Sequence, residues 1–185
     1  IISPTDFTRL KVLAKVMIDN FSLTGSFLTN STKSEVMSDM WESSKNQISF
    51  RGGFHGARLK LFAGYTYLSI EHDADRTIGY PPGWSGPAGT FPWVIDYEGN
   101  SSLIDGSLVF MLNENWNIGG YGNIYSNTGS WEISRIMFKG YVEYRFSAGY
   151  VAQLGYRYIN FEESAALAND YTANLVELSF GYRWK

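Results

Sequence analysis

Between residues 135 and 161 the chain reads RIMFKGYVEYRFSAGYVAQLGYRYINF, and its charged residues keep to one parity. Arg135, Lys139, Glu143, Arg145, Gln153 and Arg157 all fall on odd positions. The even positions read Ile136, Phe138, Val142, Tyr144 and Phe146, then Tyr150, Ala152, Leu154, Tyr156 and Tyr158. A period of two places successive side chains on opposite faces of an extended strand, so this stretch predicts two strands with unlike faces. The same alternation recurs along the chain and predicts nine strands, near residues 9–19, 21–30, 46–54, 57–70, 102–112, 116–126, 133–146, 149–161 and 173–184. A helical apolar stripe shows only weakly, at residues 162–169, EESAALAN.

The connections take turns between short and long. DNF, HGA, NEN and SAG carry the Gly, Asn, Asp and Ser of tight hairpin turns. Between them come STKSEVMSDMWESSK, the long segment 71–101, NTGSWE and EESAALANDY. Tight turns at one end and long loops at the other predict an all-β, up-and-down antiparallel meander. Residues 1–185 then form one barrel domain or the C-terminal segment of one, with 71–101 as a long extracellular loop. Membrane barrels and soluble lipocalin-type barrels share that plan.

Composition separates the two. Thirteen Tyr, 12 Phe and 6 Trp make the chain 17% aromatic, beside 19 Gly. One face stays apolar in strand after strand, as in Val12, Ala14, Val16 and Ile18, or Val176, Leu178, Phe180 and Tyr182. Aromatic residues gather at segment ends: Phe21, Phe54, Tyr65, Tyr67, Trp116, Phe146, Tyr150, Tyr158, Tyr182 and Trp184. Rings at both ends of a lipid-facing band suit the headgroup level. A soluble core this rich in Tyr would instead need partners for many buried hydroxyls. No run approaches the ~20 apolar residues of a spanning helix. With no Cys there are no disulfides, thiolate metal sites or covalently attached haem. A net charge of −3 argues against nucleic acid as a partner.

The closing LVELSFGYRWK sets Leu178, Phe180, Tyr182 and Trp184 at alternate positions and resembles the C-terminal aromatic signal of bacterial outer-membrane β-barrels, with Lys185 following where that family ends on an aromatic residue. The resemblance implies a porin-like transmembrane barrel in the outer membrane of a Gram-negative bacterium, in contact with membrane lipid and lipopolysaccharide. Residues 16–35, VMIDNFSLTGSFLTNSTKSE, are loosely similar to repeats in the barrel subunit of porin–cytochrome electron conduits. That likeness implies a sheath around a multihaem partner, with haem bound by the partner and no cofactor in this chain. Nine strands leave the two ends of the meander on opposite sides of a membrane, whereas bacterial single-chain barrels have even counts. The opening IISPTDFTRL reads as a loop without a secretory leader, so we expect a signal already removed; the odd count fits best the C-terminal part of a larger barrel, with an eight- or ten-stranded barrel or a rare odd-numbered one as the alternatives.

Giving the polar face to the lumen predicts pore-lining Lys11, Lys15, Arg51, Arg58, Lys60, Asp105, Arg135, Lys139, Glu143, Arg145, Arg157, Glu177 and Arg183, with Asp19 as a further inward acid. The other acidic residues fall mainly in the long connections, which predicts a basic interior beneath an acidic extracellular rim. Such a lumen favours small anions or an acidic partner held inside the barrel. Structural bracing of Glu143, Glu177 and Asp105 is the plainer alternative.

No phosphate-binding Gly loop, zinc pattern, other metal site or nucleophile elbow is present, and we expect no enzyme and no catalytic residue. A rim hydrolase would have to use His72 in IEHDAD, whose acids could hold a cation or activate water. His55, in FHGA, reads as solvated. GYPPGWSGPAGTFPW, with Trp84, Phe91 and Trp93, reads as a stiff excursion that either folds into the mouth or meets a partner.

Overall fold

The computed structural model describes residues 6–36, 39–79, 90–130, 132–147, 149–164 and 169–182, without the side chains of residues 35–40 and 75–95. The described chain forms one antiparallel sheet whose nine strands lie in sequence order. They are β1 (Asp6–Ile18), β2 (Phe21–Val36), β3 (Asp39–His55), β4 (Leu59–Gly79), β5 (Thr90–Met111), β6 (Trp116–Gly129), β7 (Ile133–Arg145), β8 (Tyr150–Glu163) and β9 (Tyr171–Tyr182). Every expected strand is present, and the architecture is the up-and-down meander of a β-barrel wall.

The tight turns form as the sequence implies. Ile18 pairs with Phe21 across a two-residue turn, with Asp19 in the left-handed region at φ 48°, where a short polar side chain lowers the cost. In the β5–β6 turn, the Asn113 carboxamide oxygen accepts from the backbone N–H groups of Asn115 and Trp116, both at 2.9 Å. Gly149, at φ 87°, lets the chain reverse between β7 and β8, where the Phe146 N–H donates to the Tyr150 carbonyl.

The long connections differ from expectation. STKSEVMSDMWESSK is almost all strand, with Val36 pairing Asp39. Segment 71–101 is likewise mostly strand, because β4 and β5 stay in register from Leu59↔Phe110 to Gly79↔Thr90. Beyond the apolar stretch both faces turn polar, so the alternation stops marking a strand while the backbone ladder continues. Trp84 lies outside the described residues, as do the side chains of Phe91 and Trp93. Of EESAALAN, Glu162 and Glu163 end β8, and 165–168 lie outside the described residues.

Strands β1 and β9 each pair with one neighbour only among the described residues, so the sheet is open at both edges. Because direction alternates along nine strands, its two edges run the same way. Closing it on itself would require a parallel β1–β9 seam.

No hydrophobic side chain is buried among the described residues. Val176 is 76% exposed, Phe180 75% and Leu178 65%. Water-soluble proteins rarely leave contiguous apolar patches beyond a few hundred Å² uncovered. This sheet exposes one on every strand.

Candidate functional site: the two faces of the sheet

Cross-strand partners share a face, so the register assigns every side chain to one of two surfaces. Starting from the tight-turn end, one surface is apolar for about four or five positions in each strand and then changes abruptly. On β8 it reads Tyr150, Ala152, Leu154, Tyr156 and Tyr158, then Asn160. On β4 it reads Leu59, Leu61, Ala63, Tyr65 and Tyr67, then Ser69. Thr8, Thr29, Asn46, Ser102, Ser126, Ser134 and Asn174 end the apolar run on the other strands. Nine residues at ~3.4 Å each, tilted about 40°, rise about 23 Å, close to the apolar band of membrane barrels.

The girdle residues bracket this band. At the tight-turn edge Phe21 meets Phe54 with ring centroids 4.9 Å apart, Trp116 meets Tyr144 at 4.7 Å, Tyr144 meets Phe146 at 4.6 Å, and Tyr150 meets Tyr182 at 4.9 Å. At the opposite edge the Tyr67 hydroxyl donates to the Asn100 carboxamide at 2.7 Å, and the Tyr156 hydroxyl donates to Asn174. Tyr158 stacks on Phe138 at 4.9 Å. Tyr65 lies on the same surface, paired with Phe50. Trp184 lies outside the described residues.

Past the polar edge this outer surface becomes acidic. Glu71 pairs directly with Glu98 and Asp73 with Asp96, while Glu42 pairs with Asp73 and with Lys33. The acidic rim therefore occupies strand extensions above the band, rather than loops alone as expected. Like charges directly opposite are tolerable only in water, which places this collar outside the hydrocarbon.

The other surface carries the residues expected to line the lumen. Lys11, Lys15, Arg51, Lys60, Asp105, Arg135, Lys139, Glu143, Arg145, Arg157 and Glu177 all share it. Two expectations change. Arg58 is exposed in the β3–β4 turn, since β3 ends at His55 and β4 starts at Leu59. Asp19 is in the β1–β2 turn rather than on the inner face. Arg183 lies outside the described residues. Among the described side chains, three further charges lie on this face. Arg9, opposite Asn30, precedes the apolar run of β1, and Lys45, opposite Ile70, fell in a segment read as loop. Glu163, opposite Ile133, lies beyond the polar edge of β8. Following the odd parity past the end of each apolar stretch finds all three.

On this inner surface Glu177 accepts from both Lys139 and Arg157, the latter at 2.7 Å. Glu143 accepts from Arg145 Nε and from the Asn117 carboxamide, each at 2.9 Å. Arg51 lies over the Phe62 ring at 5.6 Å and Arg135 over Tyr125 at 6.0 Å. Replacing Glu177 with Gln takes the shared carboxylate from these two cations. We expect the reversal potential in a salt gradient to move toward that of the anion, most strongly at low ionic strength, where screening is weakest.

The His72 cluster does not assemble. Extended backbone turns Glu71 and Asp73 outward and His72 inward, opposite Ser43. His72 Nε2 accepts a hydrogen bond from the Trp41 indole at 3.0 Å, and the two rings meet edge to face with centroids 5.4 Å apart. That nitrogen is already engaged by a donor, so it is not poised as a general base. His55 also turns inward and is exposed, opposite Lys60. No group of three potential metal ligands occurs among the described residues.

These two surfaces define a β-barrel wall with a lipid-width apolar side and a polar, cation-rich side. No protein-family model matches the chain, and no curated protein matches it. Among solved structures the chain is similar to OmpT, an outer membrane protein of Vibrio cholerae, at a TM-score of 0.43 and 10% identity, covering 97% of this chain and 81% of that one. A loop L8 deletion mutant of OmpT is similar at a TM-score of 0.43 and 11% identity, covering 100% of this chain and 82% of that one. Neither likeness supports the resemblance of residues 16–35 to conduit barrels. The class rests on the alternation and register of the sheet itself.

Proposed function

We propose that this chain is the wall of an outer-membrane β-barrel of a Gram-negative bacterium, enclosing an aqueous passage that prefers small anions and performing no catalysis. The observation that carries the reading is the sorting of charge between the two faces. The inner face holds Arg9, Lys11, Lys15, Lys45, Arg51, Lys60, Arg135, Lys139, Arg145 and Arg157 against Asp105, Glu143, Glu163 and Glu177. The outer face reserves its acids for the collar above the lipid edge, where lipopolysaccharide is the neighbouring molecule. A narrow water-filled space lined by excess positive charge concentrates anions and repels cations. The open edges at β1 and β9 leave a row of backbone groups that hydrocarbon cannot satisfy, so in the membrane both edges are paired.

Planar-bilayer recording of the full-length protein tests this reading. We expect discrete conductance steps and a reversal potential in a KCl gradient displaced toward that of chloride. Absent conductance would overturn the passage. If haem absorbance accompanied that silence in the purified complex, the inner face would instead be a sheath around a multihaem protein. We expect no hydrolytic activity that depends on His72, and its loss in His72→Ala would reinstate a rim enzyme.

A further inference from the structure

We propose that the passage binds its anions along one wall only, the inner face of β1–β4, and that small oxyanions are the preferred class. This rests on the passage reading and adds a location and a chemistry. The inner face divides sharply by charge. On β1–β4 the described side chains of this face include Arg9, Lys11, Lys15, Lys45, Arg51 and Lys60 and no acid. On β5–β9 Arg135, Lys139, Arg145 and Arg157 face Asp105, Glu143, Glu163 and Glu177, so that half is formally neutral.

Three cations of the second half are held by carboxylates, Lys139 and Arg157 by Glu177 and Arg145 by Glu143, while Arg135 has only the face of Tyr125. None of the six on the first half forms an ion pair with another described residue, and Arg51 has only the face of Phe62. Asp105 marks the border. Its carboxylate oxygen would lie 2.8 Å from a Cβ built on Gly64, so it covers the glycine that separates it from Arg51.

Register then spaces these charges regularly. Lys15, Thr24 and Arg51 are consecutive across β1, β2 and β3, as are Arg9, Asn30 and Lys45. Each rung sets two cations about 10 Å apart at the backbone, with a neutral polar side chain between them. That spacing is close to the ~8 Å screening length at physiological ionic strength, so their fields overlap. An oxyanion centred on the lower rung can accept from Lys15, from the Thr24 hydroxyl and from the Arg51 fork, whose geometry suits phosphate better than chloride. The apolar band is on the opposite face, so a lipid headgroup is not the occupant.

The test is binding of inorganic phosphate to the folded full-length protein in nonionic micelles, read by ³¹P line broadening. We expect Lys15→Gln with Arg51→Gln to weaken binding about ten-fold, the worth of one good charge-assisted contact. The charge-retaining pair Lys15→Arg with Arg51→Lys should keep most of it, which separates charge loss from misfolding. Removing a braced pair, Arg145→Gln with Glu143→Gln, should leave it unchanged. Undiminished binding in the first double variant, equal loss in the braced-pair variant, or no phosphate binding by the native protein would overturn the proposal. Conductance distinguishes the two readings. Phosphate binding that depends on Lys15 and Arg51 without current leaves the wall standing and removes the passage. Current with binding indifferent to these residues does the reverse.

Discussion

Leu154→Arg is expected to destabilise the inserted protein by about 2–4 kcal/mol, whereas Gln153→Arg, one residue away, should cost less than about 0.5 kcal/mol. Leu154 is 56% exposed in the middle of the apolar run of β8, between Ala152 and Tyr156. In lipid that position meets acyl chains, and a guanidinium there must stay unsolvated, drag water inward or reach for an interface about 10 Å away. Gln153 is on the polar face opposite Glu143 and Ser179, so a cation placed there gains a carboxylate neighbour and keeps its water. Urea titration in phospholipid vesicles, followed by tryptophan fluorescence, measures both variants. Equal costs would mean that the two faces see the same solvent, and the membrane assignment would fail.

A second large effect concerns how the inner surface is packed. The Tyr141 ring lies across Gly119, its cross-strand partner, so close that a Cβ at Gly119 would overlap ring atoms. The glycine is the recess that accepts the ring. Gly119→Ala should displace Tyr141 and cost about 1–3 kcal/mol, the usual range for overpacking a close fit. Gly140, on the lipid-facing side of β7, has open space where a Cβ would stand, and Gly140→Ala should be neutral or stabilising by up to about 1 kcal/mol. In a Tyr141→Ala background the cost of Gly119→Ala should largely vanish, because the colliding ring is gone. A double-mutant cycle from the same urea titration reads the coupling directly. A cost that persists without the ring would locate the strain in the backbone instead.

Much of this architecture was legible before any coordinates. Nine alternating segments, four tight turns and the sidedness of Val12, Leu61, Leu154 and Phe180 follow from a period of two and the chemistry of turn residues. Arg51, Lys60, Arg157 and Glu177 share one face for the same reason. The reading failed where alternation lost its contrast. Above the lipid edge water wets both faces, so β2 through β5 continue as strands through residues that look like loop, and Lys45 was lost with them. The cluster around His72 misled in another way. Neighbours in sequence are not neighbours on a strand, and Glu71 and Asp73 sit on the far side of the sheet from the imidazole.

Sequence by itself determined which side chains share a face, because that depends only on parity within an extended chain. Register was decided by the tertiary structure, since it depends on how turns of different length offset each strand against the next. Register brings Lys139 and Arg157 onto the single carboxylate of Glu177, seats the Tyr141 ring on Gly119, and leaves Lys15 and Arg51 flanking a hydroxyl with no acid between them. No count of charges along the chain contains that division into a braced wall and an unbraced one. It arises because Coulombic pairing needs contact within a few ångströms, and only the assembled sheet sets those distances.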